Sequence, residues 1–499
     1  MLTGLVRCPD SAGAPAPEQV HLQFGADASS QVSVSWTAPA PVARPRLLIG
    51  QAATAAGCQV EAEELVYTDA LTGETVFTYH AAASGLEPGS QYVYEVLHDG
   101  SPPVAGAFST APRGRSGPFR FTSFGDHSVP APVGLGGGPH SANAGYVVDA
   151  VERLDPLFHL LNGDLCYANA SDAPVATWAS YFGNISRSAR YRPWMPAPGN
   201  HENEAGNGPH GYLSYQTRFS LPGNGTPAYR GLWYAFTAGP VRVVALNNDD
   251  VCLQDGGFSG LRRDGVPGYL ADGVDPYIRG YSGGVQLRWL ERELVAARDN
   301  DEIDWIVVVM HQPAMSSARF NGADLGVRQH WLPVFDAYEV DLVLAGHEHH
   351  YERELPVRGT TGTSLLTPKP VPMSGSTIDT TKGTQHMIIG GGGTSAPSNT
   401  ILTDPPTCYV ITSVGPNKSN PGPGAPTGHF LPNYTPENAI WSSVRDKDWS
   451  YGFAAFSVDP GNRPGGQTTI EVTYYRVKGF GGELEVFDTF TLTRPRNDR

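Results

Sequence analysis

Residues Leu160–Asn169 read LLNGDLCYAN. The apolar run Leu157 to Leu161 ends just before a Gly and an Asp, which is how a buried strand delivers a carboxylate to the rim of a sheet. Asp164 is that carboxylate, and Tyr167 follows closely enough for its phenol to turn back toward the same point. Read for chemistry, Asp164 bridges two metal ions and Tyr167 binds one of them. Read blandly, Gly-Asp after a strand is a turn or a helix cap, which is the commoner case. The other strand ends must decide between the two.

Outward from this stretch the same pattern repeats. Phe119 to Phe124 (FRFTSF) is a predicted strand ending at Gly125 and Asp126, followed by a glycine-rich loop, Gly134 to Gly138, and a helical segment, Ala144 to Leu154. Trp194 to Pro198 leads into Gly199, Asn200, His201 and Glu202. Val241 to Leu246 is a further apolar strand, and Gly284 to Arg298 is an amphipathic helix. Trp305 to Met310 (WIVVVM) runs into His311, and Val340 to Ala345 (VDLVLA) runs into Gly346, His347, Glu348 and His349. Strands alternating with helices imply a layered α/β core whose sites form at the carboxyl ends of the strands.

Upstream, Val20 to Thr110 has a different texture. Val20–Phe24, Val32–Trp36 and Tyr92–Leu97 alternate apolar and polar residues between turn signals, so a small β-sandwich with one solvated face per sheet is expected. Ala111 to Gly117 (APRGRSG) reads as a linker. This divides the chain into residues 1–115 and 116–499. Past Arg353, residues 355–385 and 403–437 are rich in Thr, Ser, Pro and Gly and read as long loops, a possible lid. Between them His386 to Gly393 (HMIIGGGG) reads as a core strand and tight turn, and Gly452–Val458, Thr468–Arg476 and Leu484–Leu492 return to β alternation and are expected to complete a second sheet.

Composition excludes several function classes. At 499 residues, 40% hydrophobic and 17% charged, the chain describes a folded two-domain protein with no apolar run of membrane-spanning length. A net charge of −15, with only five lysines and no basic block, argues against nucleic acid, whose phosphates need basic stripes. The first ten residues, MLTGLVRCPD, lack the build of a secretory signal. Cys8, Cys58, Cys166, Cys252 and Cys408 contain no CxxC spacing, so a structural zinc site is not expected. Pairing of Cys8 with Cys58 and of Cys252 with Cys408 competes with a reading as five unpaired thiols.

Collected from the strand ends, the polar residues are Asp126, Asp164, Tyr167, Asn200, His201, His311, His347 and His349. Carboxylate, phenolate, amide oxygen and imidazole form a mixed oxygen and nitrogen set suited to iron, zinc or manganese. One bridging carboxylate with three further ligands per side gives two metals roughly 3.5 Å apart, an arrangement that clamps phosphoryl groups.

These residues resemble the five blocks of the purple acid phosphatases, a branch of the calcineurin-like metallophosphoesterases. The blocks are Asp126; Gly163, Asp164 and Tyr167; Gly199, Asn200 and His201; Val308 to His311; and Gly346, His347 and His349, continued by Tyr351, Glu352 and Arg353. The segment Gly85 to Tyr92 (GLEPGSQY) resembles a turn of fibronectin type III domains, so the likeness covers nearly the whole chain. It implies a bacterial-type member with a fibronectin III-like all-β N-terminal sandwich and an α/β/β/α layered catalytic domain. By the same resemblance Asp126, Tyr167 and His349 bind Fe(III), Asp164 is shared, and Asn200, His311 and His347 bind a divalent iron, zinc or manganese. Tyrosinate on ferric iron would give a purple colour. His201 would donate to phosphoryl oxygens in the transition state, or else orient a ligand. The implied activity is hydrolysis of phosphate monoesters in acid by attack of a metal-bound hydroxide, on a small-molecule ester and away from nucleic acid and membrane. Export to the periplasm or the outside is implied likewise.

The sequence departs from the family pattern twice. The first block is usually Asp, any residue, Gly, whereas here it is Asp126, His127, Ser128. Ser at that place requires negative φ, and His127 is expected either to be merely exposed or to touch substrate. Plant-type members carry paired histidines after the fourth block, but Gln312 to Asn321 (QPAMSSARFN) has none, which leaves His210 and His330 as candidates for the general acid. Gly-x-Ser-x-Gly is absent, and no Lys-Ser/Thr follows Gly390–Gly393, so neither a serine nucleophile nor a Walker loop is expected. A phosphodiesterase or nucleotide hydrolase on the same metals, a colourless manganese or zinc enzyme, and a surface binding protein with a vestigial site are the rival readings.

Overall fold

The strand runs named above fold into two units. The computed structural model describes residues 13–498 apart from 54–56, 136–137, 205–210, 254–279, 320, 374, 417–429 and 480. Cys8 and His210 therefore lie outside the described residues.

The N-terminal unit is a sandwich of two four-stranded antiparallel sheets. One is ordered Glu18–Phe24, Gln31–Ala38, Thr75–Ser84, Glu63–Thr68, the other Gly57–Glu61, Arg46–Gln51, Gln91–Leu97, Val104–Ser109. Inward positions at a spacing of two, among them Leu22, Val34, Trp36, Leu47, Ile49, Tyr94 and Phe108, fill the space between them. The expected solvated outer face is corrected for the first sheet. Its polar positions His21, Gln23, Ser35 and His80 are buried as deeply as the core, because the helix Pro174–Ala189 packs on that face. The ring of His21 stacks on Phe182 of this helix at 4.4 Å.

The second unit stacks two seven-stranded mixed sheets. The first runs Trp194–Ala197, Phe158–Asn162, Phe119–Phe124, Gly452–Asp459, Gln467–Lys478, Glu483–Pro495, Thr377–Asp379, with its first three strands parallel. The second runs Tyr234–Ala238, Val241–Ala245, Trp305–Val309, Leu342–Ala345, Gln385–Ile389, Tyr351–Glu354, Ser442–Arg445. In it the four strands from Val241–Ala245 to Gln385–Ile389 are parallel. Their near-continuous apolar character follows from burial on both faces. Phe121 and Phe456 stack on neighbouring strands at 4.6 Å, and Phe158 meets Phe236 of the other sheet edge-on at 5.5 Å, so one core joins both sheets. Among the described residues no helix is long and apolar enough to cross a membrane.

Several expectations are corrected. The C-terminal strands do not build the second sheet; they extend the first, with Gly452–Asp459 paired directly to Phe119–Phe124. Within 403–437, read as loop, Thr407–Pro416 and Phe430–Asn438 pair as antiparallel strands. The many threonines there were weighed as polar loop residues, whereas their β-branching favours strands. A buried ion pair, Arg328 to Glu437 at 2.8 Å, ties this pair of strands down. Within 355–385 the short strands Val357–Thr360, Pro368–Pro370 and Thr377–Asp379 form. Cys408 is a free thiol, so the bridge to Cys252 is not made, and Cys58 is also free. The helix Pro174–Ala189 was not anticipated, although Trp178, Tyr181, Phe182 and Ile185 carry helical spacing.

Candidate metal centre

Four candidate ligands sit where the chain turns sharply just past the carboxyl end of a strand. Asp126, Asp164, Tyr167 and His347 have φ of 58°, 54°, 58° and 71°, in the left-handed region that side chains other than Gly seldom adopt. Asp and His tolerate it better than Tyr, and each such residue costs on the order of 1 kcal/mol. The surrounding packing holds these turns. A Cβ on Gly163 would lie 2.6 Å from the His311 ring, and one on Gly346 would lie 2.6 Å from both the Asn162 carbonyl and an Asp126 carboxylate oxygen. Only glycine lets the strand ends approach so closely.

The strand ends bring seven of the eight predicted residues into one contiguous group, and Asn200 lies on the turn next to it. On one side the Tyr167 hydroxyl donates to Asp126 Oδ1 at 3.1 Å and lies 3.1 Å from His349 Nε2. His349 Nε2 is itself 3.2 Å from Asp126 Oδ1. On the other side His311 Nε2 is 3.0 Å from Asp164 Oδ2 and 3.2 Å from His347 Nδ1. Ligand atoms of Asp164, His311 and His347 all lie within 4.8 Å of one another. The two sides are joined, since Asp126 Oδ2 accepts the His347 amide at 2.8 Å and the Tyr167 and His201 rings sit 4.3 Å apart. The His201 amide donates to Asp164 Oδ1 at 2.9 Å. Asn200 lies between Gly199 and His201 on this turn, and its Oδ1 is buried without a hydrogen-bond partner.

The surroundings prepare these atoms for a cation. His311 Nδ1–H donates to the Asn162 carbonyl at 2.7 Å, and His349 Nδ1–H donates to the Ala396 carbonyl, so each ring turns Nε2 toward the group. Burial disfavours charge on His311, yet the adjacent Asp164 carboxylate outweighs it and raises the ring to about 10. Burial likewise opposes charge on Asp164, but His311 and His201 hold its carboxyl well below the usual carboxylate range. Burial and the Asp126 and Asp164 charges push the Tyr167 phenol well above its ordinary value, so a phenolate there requires strong positive charge beside it. An orphaned amide oxygen, imidazole nitrogens aimed at one another and a buried carboxylate pair fit a metal centre better than they fit a bare hydrogen-bond network.

His201 is 11% exposed, with Nδ1 held 2.7 Å from Asn169 Oδ1 and Nε2 3.9 Å from Asp164 Oδ2. His127 is neither exposed nor at the rim. It is fully buried, stacks on Phe124 at 5.0 Å, and donates from Nδ1 to the Gly392 carbonyl at 2.7 Å. Ser128 takes φ of 74° despite its side chain, and its hydroxyl donates to the Pro139 carbonyl, so the expectation of negative φ is corrected. His330 ends the Leu325–His330 helix at a half-buried position. His350 turns away, 3.2 Å from Glu352.

Two supporting residues were missed. Glu202 is fully buried and accepts backbone N–H bonds from Asp164 (2.9 Å), Leu165 (2.8 Å) and Gly199 (2.7 Å), stapling two ligand-bearing turns together. Burial and the Asp164 charge push its carboxyl up to about 8 against the pull of those amides. Its place directly after Asn200-His201 was the available signal. Asn248 accepts the His311 amide at 2.7 Å, and nothing in the local sequence marks it.

Known proteins resemble this chain in sequence and in fold. Residues 17–123 match the model of the purple acid phosphatase N-terminal domain, and residues 119–351 match the calcineurin-like phosphoesterase family. An uncharacterised protein of Mycobacterium tuberculosis is 51% identical over 493 residues, covering 97% of this chain and 88% of its own. Purple acid phosphatase 1 of Ipomoea batatas is 25% identical over 411 residues, 80% of this chain and 76% of that one. The structure of purple acid phosphatase PPD1 from yellow lupin seeds superposes with a TM-score of 0.66 at 20% identity, covering 96% of this chain and 75% of that chain, a likeness of fold.

Proposed function

We propose that this chain, which belongs to the calcineurin-like phosphoesterases of purple acid phosphatase type, is an acid phosphatase that hydrolyses small-molecule phosphate monoesters on a dinuclear metal centre. The observation that carries the reading is the convergence of Asp164, His311 and His347, with Asn200 Oδ1 buried and unpartnered on the turn whose next amide bonds Asp164. In this reading Asp126, Tyr167 and His349 would hold Fe(III), Asn200, His311 and His347 would hold a divalent iron, zinc or manganese, and Asp164 would serve both.

Bound cations supply the charge that neutralises phosphoryl oxygens and the acidity that readies a water for attack. The protein's own part is positioning. His201 Nδ1–H donates to Asn169 Oδ1, which turns Nε2 toward the place where a phosphoryl oxygen gathers charge, and there the ring donates from Nε2 as the imidazolium. Glu202 keeps the Asp164 and Asn200 turns in register, and depth of burial limits competing water. The names of the curated relatives favour a phosphatase, and the membership itself is compatible with export.

The test is metal analysis of purified protein together with hydrolysis rates on 4-nitrophenyl phosphate and bis(4-nitrophenyl) phosphate. Faster turnover of the monoester, lost on chelation and regained with iron plus zinc or manganese, is expected. Preference for the diester moves the assignment to a phosphodiesterase, and intact metals without turnover of either ester move it to a binding role.

A further inference from the structure

We infer that the N-terminal sandwich is part of the scaffold of the metal centre, holding the 199–204 segment in place through Arg218. The inference rests on the dinuclear reading above.

The path is continuous from one unit to the other. Tyr67, on strand Glu63–Thr68 of the sandwich, presents its ring 5.6 Å from the Arg218 guanidinium. The Trp178 ring lies 5.1 Å from the same guanidinium, so a buried cation is held between aromatic faces from two domains. Arg218 NH1 also donates to the Ser214 carbonyl at 2.9 Å and to its hydroxyl at 2.5 Å. Trp178 Nε1 donates to Glu204 Oε1 at 2.5 Å, and the charge of Arg218 faces that of Glu204. The Glu204 amide reaches the Glu202 carbonyl at 3.1 Å. Glu202 is the residue whose carboxylate gathers the Asp164, Leu165 and Gly199 amides.

A second set of contacts fixes the same short helix, Leu213–Arg218. Its last carbonyls have no intrahelical partner and must find donors elsewhere. His80 Nε2 is 2.9 Å from the Thr217 carbonyl and His21 Nε2 is 2.9 Å from the Arg218 carbonyl, both from the sandwich sheet. A free-standing binding module would not place its buried histidines at the service of another domain's helix end. Tyr67, His21 and His80 are thus positioning residues that act on the metal centre through Arg218 and Glu204.

The experiment uses the full chain with Tyr67→Ala, Tyr67→Phe and His80→Ala. Hydrogen exchange of residues 63–68, 199–204 and 213–218 is measured beside metal content, kcat and KM. Tyr67→Ala should speed exchange across 199–204, and it should cost roughly tenfold in metal affinity or kcat with little change in KM. Tyr67→Phe, which keeps the aromatic face, should restore all of these. His80→Ala removes one donor only and should show the same pattern more weakly, which keeps the inference testable if Tyr67→Ala does not fold. The inference is overturned if exchange rises at 63–68 and 213–218 while 199–204, metal content and kcat stay as in the parent. A parent protein that binds metal but hydrolyses no ester ends the phosphatase reading, and the exchange data then decide the scaffold role alone.

Discussion

His311 Nε2 and His347 Nδ1 face each other at 3.2 Å, with Asp164 Oδ2 3.0 Å from the first of them. Since His311 Nδ1–H is committed to the Asn162 carbonyl, His311 Nε2 is turned toward Asp164 and His347, where a bound cation would take the place of a shared proton. Divalent metal should therefore raise the melting temperature by mass action, by about 2.7 kcal/mol of stability at a hundredfold excess over Kd. Asp164→Asn should abolish this response and leave at most one metal per chain. Differential scanning calorimetry with metal analysis checks both, and normal turnover by Asp164→Asn would refute the bridging role.

Tyr167 donates its hydroxyl to Asp126 and lies beside His349, on the side that would hold ferric iron in the proposed reading. Tyr167→Phe should remove the visible absorption band while keeping much of the activity. The ring packing against His201 survives, so the left-handed turn should stay in place. Absorption spectra and rates on the same preparation test this, and a colourless parent protein would point to zinc or manganese in both positions.

His201 touches the site without joining the opposed histidines. His201→Ala should lower kcat by roughly a hundredfold or more, as loss of a transition-state donor does, with metal content unchanged. Asn169→Ala, which only frees the ring, should cost about tenfold. Loss of metal in His201→Ala would show the ring to orient a ligand instead.

Acid should weaken the fold in a defined order. Burial lowers His21 and His80 to about 4 and His386 to about 3, while the unfolded chain titrates near the ordinary value of 6.5. The unfolded state then binds more protons between these values, so stability is lost as pH falls from about 6.5 toward 4. Asp341 behaves as a carboxylate does: burial opposes its charge, but Arg298 and Arg494 lower it, so its contribution is lost only below the ordinary carboxylate value of 3.8. His386 Nε2 is buried without a partner, and His386→Leu should flatten the upper part of this profile. Melting temperatures from pH 7 to pH 3.5 read the result, and an unchanged slope in the variant would show that His386 does not titrate on unfolding.

Much of the candidate centre was legible because its residues follow apolar strands, and a strand end is a local event. Asp126, Asp164, His311 and His347 could be picked by reading where runs such as FRFTSF and WIVVVM stop. Glu202 was quoted but given no role, because its work is to accept amides from Asp164 and Leu165, far away in the chain. Ser128 was misjudged since a bond from its hydroxyl to the Pro139 carbonyl accompanies a backbone angle that local propensity disfavours. The outer face of the sandwich was misjudged for a related reason. Alternation says which residues share a face but not what lies against it.

The chain's own order of residues determined the candidate ligand types, the strands that carry them and the division into a β-sandwich and a layered α/β unit, because strand period and turn chemistry act within a few residues. Only the tertiary structure decided that the C-terminal strands extend the first sheet, that Glu202 pins two turns, and that the N-terminal sheet closes on Arg218 and the helix ending there. Those outcomes depend on pairing and burial between segments separated by tens to hundreds of residues, and the free energy of such contacts is set by what each surface meets.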